Sequence, residues 1–207
     1  MTILKRVGGI LIVGAATAAM VSLSAAPALA ATFSVTPGGS FSFSGSGQVK
    51  DQTTGTVAHC TINLSGTLKS GHGLSGAGIG SITSASFASC TIATISVSVA
   101  VHGLPWKENV TGVNATTGTV KGNISGIDLV ASAPGCSATL DGTAAGANNG
   151  TVKITYTNST GKIKLLANGG NLHSYAVSGC FGLVNNNDVQ KASGSGAVTP
   201  KQTITSP

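Results

Sequence analysis

The sequence predicts an all-β protein, an antiparallel sandwich or barrel built from two pseudo-symmetric half-repeats, and three observations carry that reading. Apolar residues recur at every second position in segment after segment, the period of a half-buried strand. Glycine turns such as Gly38-Gly39, Gly118, Gly146, Asn149-Gly150 and Gly169-Gly170 punctuate the chain at short intervals, as antiparallel sheets require. Two cysteine-anchored blocks also occur twice, in the same order. Cys60-Thr61-Ile62-Asn63-Leu64-Ser65-Gly66-Thr67 matches Cys136-Ser137-Ala138-Thr139-Leu140-Asp141-Gly142-Thr143 as C-x-x-x-L-x-G-T. Gly80, Ile82, Ser84, Phe87 and Cys90 line up with Gly170, Leu172, Ser174, Val177 and Cys180. Ordered, paired blocks are the signature of duplication.

The first 30 residues read differently from the rest. Lys5 and Arg6 form a basic start, an apolar stretch runs from Val7 to about Leu23, and Ala28-Leu29-Ala30 supplies a small-x-small cleavage site. That is a secretory signal, and it places the mature N-terminus at Ala31. Residues 31–207 then form one all-β domain, with half-repeats about 31–105 and 106–207. Phe33 with Val35, Phe41 with Phe43, and Ile62 with Leu64 each show the period of two. Ile95, Val97, Val99 and Val101 alternate with Thr94, Ser96, Ser98 and Ala100, and Val152, Ile154 and Tyr156 alternate with Lys153, Thr155 and Thr157. The latter strand runs through Asn158-Ser159-Thr160-Gly161 into Lys162-Ile163-Lys164-Leu165, a hairpin with its lysines outward. No segment after residue 30 holds a 3.6-residue apolar stripe of helical length, so neither a helix nor a membrane-crossing helix is expected there.

All four cysteines lie in the exported part, and an even count in an oxidising compartment points to disulfides. Equivalent positions in two repeats should do equivalent jobs, which selects Cys60 with Cys90 and Cys136 with Cys180. His59 adjoins Cys60, but the absence of CxxC and HxxxH spacings leaves no metal site to expect. Nor is a cofactor expected.

Composition excludes further classes. With 8% charged residues, 4% aromatics and 30 glycines, the chain is too apolar for a disordered assembly. Nine of the 11 Lys+Arg and all 5 Asp+Glu lie beyond residue 30, leaving a formal +4, and Arg6 is the only arginine. Without a guanidinium fork downstream, nucleic acid is not an expected partner. Gly71-His72-Gly73-Leu74-Ser75-Gly76 matches GxGxxG formally, but with no helix after it the segment reads as a turn or loop. P-loop, G-x-S-x-G and HExxH patterns are absent from the sequence. His59, His72, His102 and His173 read as surface or turn residues, and Asp51, Glu108, Asp128, Asp141 and Asp188 as scattered. No catalytic residue is singled out.

Trp106, the sole tryptophan, stands in Leu104-Pro105-Trp106-Lys107 beside the boundary between the halves. It reads either as an exposed anchor for a partner, with Lys107 and His102 nearby, or as a plug in the seam between half-repeats. The runs His59 to Cys90, Leu104 to Lys107, Gly170 to Leu183 and Pro200 to Pro207 resemble a group of small secreted proteins of Streptomyces and related actinobacteria. The resemblance implies an exported Gram-positive origin and carries over no catalytic or binding residue. Together these readings predict a non-enzymatic, disulfide-stapled protein, secreted and extracellular or wall-associated, that works as a binding or surface-contact module on an envelope glycan or extracellular protein. A self-assembling or envelope-embedded β-protein is the alternative, and a secreted hydrolase the second.

Overall fold

A computed structural model describes residues 31–207; the signal-sequence expectation falls on residues 1–30, outside the described residues. Fourteen strands account for the regular structure, and no helix occurs among the described residues. They are β1 (Thr32–Thr36), β2 (Gly39–Asp51), β3 (Val57–Leu68), β4 (Gly71–Ser75), β5 (Gly80–Ile92), β6 (Ile95–His102) and β7 (Trp106–Asn114). There follow β8 (Thr119–Ala133), β9 (Cys136–Asp141), β10 (Gly150–Thr157), β11 (Lys162–Gly170), β12 (His173–Ser178), β13 (Gln190–Thr199) and β14 (Thr203–Thr205).

The pairing closes on itself. Neighbours run β10, β11, β13, β2, β3, β5, β7 and β8, and β8 pairs back with β10. The ends of β5 and β8 extend past β7 and are joined instead through β6, after which β9 and β12 continue the wall. A bridge between His173 and Val189 connects β12 to the approach of β13. Of the two predicted architectures this is the barrel, and closure leaves the ring no free edge.

Alternation sorts the side chains. In β2, Phe41 and Phe43 are buried while Ser40, Ser42 and Ser44 are exposed, and in β3 Ile62 and Leu64 are buried between exposed Thr61 and Asn63. Gly45 and Gly196 face each other in register, and a Cβ on Gly196 would stand 2.6 Å from the Phe43 ring; the pair of glycines makes room for that ring. The 158–161 hairpin forms with Tyr156 opposite Ile163 and Thr157 opposite Lys162.

A three-stranded sheet, β14-β1-β4, closes one end. Phe33, Val35 and Ile204 join the same apolar core, while the Asn158 side chain brackets Ile204 and the Tyr156 hydroxyl donates to Gln202 O at 2.7 Å. The glycine-rich segment 71–76 belongs here: it is strand β4, not a turn or loop, because Leu74 pairs opposite Phe33 and packs against the core. Gly169-Gly170 likewise falls at the bulged end of β11, with the turn following at 171–172.

Candidate functional site

The opposite end of the barrel gathers the turns at 52–56, 93–94 and 134–135 and the long connection 179–189. Register brings them together: Ala58 stands opposite Ile92, Ala133 opposite Cys136 and Ser178 opposite Ser137. Inside lies a cavity of about 160 Å3 walled by Ile62, Leu64, Phe87, Val97, Val99, Trp106, Ile124, Leu129, Leu140 and Leu172. Cys60 and Cys136, each in a disulfide, stand in the same wall. Val97 and Val99 point inward yet are only half-buried, because what they face is space. At this end three large apolar side chains are exposed: Ile95 (45%), Leu183 (43%) and Phe181 (94%). Phe181 has a φ of +50°, a left-handed backbone conformation unusual for an aromatic residue, set between Gly179 and Gly182 and tethered by the Cys136–Cys180 bond.

The bridges are Cys60–Cys90, joining neighbours β3 and β5, and Cys136–Cys180, joining β9 to the residue pair beyond β12. The two cysteine-anchored blocks thus lie on antiparallel neighbours in both cases.

Trp106 is inside. It is 2% exposed, its indole N–H donates to His102 O at 3.0 Å, and it lines the cavity. The exposed-anchor arrangement therefore does not describe Trp106; alternation on β7 turns it inward with Glu108, while Lys107 and His102 lie on the surface.

All five carboxylates are buried, against the expectation of scattered polar residues. Asp51 accepts from the N–H groups of Thr53 (2.8 Å) and Thr54 (2.9 Å) and from Gln190 Nε2 (2.7 Å). Asp141 accepts four backbone N–H groups, from Gly142, Asn148, Asn149 and Gly150, so it ties the 142–149 loop to β9. Burial alone would raise the Asp188 pKa, but hydrogen bonds from Asn185 and Thr53 hold it below the usual carboxylate range. Asp128 is raised, by burial first and by the Asp141 charge second, with His102 opposing; its Oδ1 has no partner among the described residues. Glu108 is pushed up to about 7 by burial, beside a second cavity of about 40 Å3 lined by Phe41, Ile79, Val120 and Tyr156. The sequence signal for three of these was available: Asp51, Asp141 and Asp188 lie at turns, where a carboxylate satisfies nearby N–H groups.

The histidines lie on strands and not in turns, with His59, His72 and His102 exposed and His173 half-buried. His102, Asp128, Asp141 and His173 form a row across β6, β8, β9 and β12, but they line neither the cavity of about 160 Å3 nor that of about 40 Å3, and Asp141 is engaged by four N–H donors. Among the described residues no group of three or more His, Cys, Asp or Glu is placed to hold a metal ion.

A family model described as "Alkane oxidation protein activator PraA/PraB-like" matches residues 5–206. The match takes in residues 59–90, 104–107 and 170–183 whole and the closing stretch as far as Ser206; its description says nothing of source or export. No curated protein matches the chain, and no solved structure does.

Proposed function

The chain belongs to the alkane oxidation protein activator PraA/PraB-like family, and from that premise we propose that it is a non-enzymatic, exported binding module that takes a short aliphatic chain into its barrel. The observation that carries this reading is the apolar cavity at the turn-bearing end. A cavity of about 150 Å3 in another protein stays dry and takes up benzene, so about 160 Å3 suits a molecule of some six or seven heavy atoms, or the end of a longer chain. Burying six methylenes contributes roughly 5 kcal/mol before association terms, which places the affinity at about millimolar. Phe181, Leu183 and Ile95, exposed at the same end, supply the surface contact through which a hydrocarbon would be met.

Other features support the exported, water-facing form of this reading. The two disulfides are compatible with an oxidising, extracellular compartment. Strands β2 and β3 carry their apolar residues inward and Ser, Thr and Asn outward, the inverse of a membrane-spanning barrel, which weighs against the envelope-embedded alternative. Among the described residues no helix is long and apolar enough to cross a membrane.

Trp106 lines the cavity and is the sole tryptophan, so its emission reports occupancy. Titration with hexane or hexan-1-ol should give a saturable change in that emission, and Val99→Phe, which fills the space, should remove the response without loss of fold. A response that never saturates, or one unchanged in the filled variant, overturns the reading.

A further inference from the structure

We propose that the cavity contains a hydrogen-bond acceptor site for a hydroxyl head group, so that the preferred ligand is a linear primary alcohol and not a bare hydrocarbon. The residue is Gln190. It opens β13 directly opposite Asp51, is 7% exposed and stands in the cavity wall. Its backbone N–H donates to Leu172 O at 2.9 Å. Its Nε2 donates to Asp51 Oδ2 at 2.7 Å and lies 3.4 Å from Ser174 Oγ.

That contact sets which way the amide points. A carboxylate only accepts, so the group facing Asp51 must be the NH2, and Oε1 is left as the free end. Oε1 has no hydrogen-bond partner among the described residues. A free acceptor in the wall of a largely apolar cavity selects a ligand that brings its own donor, because a ligand without one would displace water and leave the acceptor unpaired.

Neighbouring charge narrows the class. Asp51 and Asp188 lie close together beside the site, which disfavours a carboxylate head group. An ammonium would have to leave water for a place where Asp51 is already engaged by Thr53, Thr54 and Gln190, and desolvation of an ion without a free counter-charge is prohibitive. A neutral hydroxyl meets both conditions. Within alkane oxidation, such a ligand is the product of terminal hydroxylation.

The inference rests on the cavity being a ligand site, and the test separates the two. Hexan-1-ol and methyl pentyl ether have the same heavy-atom count, but only the alcohol donates. Titrated into the wild-type protein with Trp106 emission as readout, the alcohol should bind about three- to tenfold more tightly, the range expected of one hydrogen bond. Gln190→Met should erase that preference while ether binding persists. Equal affinities in the wild type overturn the head-group site and leave the cavity reading standing; so does a preference that survives in a folded Gln190→Met. Saturable binding of neither ligand overturns both. The wild-type comparison decides the matter even if the variant fails to fold.

Discussion

Glu108 is the residue whose chemistry departs furthest from its ordinary state. It points into the barrel because β7 alternates, and the nearest space is a small cavity walled by Phe41, Leu68, Ile79 and Val120. Burial lifts its pKa from 4.5 to about 7. The unfolded chain loses this proton first, so stability is unaffected below about pH 4.5 and falls as pH rises toward 7, by about 3 kcal/mol in all, then levels off. Glu108→Gln removes the ionisation. It should be neutral near pH 4 and stabilising by about 3 kcal/mol at pH 8 in urea denaturation; an equal effect at both pH values would show that Glu108 is not the group responsible. Asp188 works in the opposite sense, its lowered pKa adding stability that disappears only as pH falls below about 4, outside that window.

Among the elements, the disulfides tie β3 to β5 and β9 to the residues just after β12, near the turn-bearing end where the barrel wall surrounds the cavity. Sequence separations of 30 and 44 residues correspond, by loop-closure entropy, to about 3.6 and 4.0 kcal/mol. Cys60→Ser/Cys90→Ser and Cys136→Ser/Cys180→Ser should each lower the denaturation midpoint, with the second pair showing the larger loss. The second pair also anchors Phe181 and Leu183, so its removal should weaken adsorption to a hexadecane–water interface beyond the stability effect. Unchanged adsorption by the folded double variant would detach that loop from surface contact.

At the scale of the molecule, closure decides how copies meet. The ring of β10, β11, β13, β2, β3, β5, β7 and β8 has every strand paired on both sides, which leaves the short strands β14 and β4 as edges of the small sheet and reduces the template for edge-to-edge stacking. We expect size-exclusion light scattering of the protein from culture supernatant to give a discrete small species, and N-terminal sequencing of the same sample to begin at Ala31. A fibre or large ring would favour self-assembly instead, and full-length protein confined to membranes would contradict export.

Strand identity was legible in the residues themselves, because the pleat has a period of two and Ile62, Leu64, Val152, Ile154 and Tyr156 repeat it locally. Cysteine positions and turn glycines are local signals as well. The closed ring, the cavity and the burial of Glu108 and Asp128 are not local. Gln190 meets Asp51 across 139 residues of chain, and Trp106 turns inward only because β7 takes its place between β5 and β8. Residue order alone specifies an all-β, cysteine-bearing chain with apolar and polar faces. Only tertiary structure decided that the apolar faces would close around unfilled space, since that depends on registers between distant strands and on side-chain volumes that fall short of filling the end they enclose.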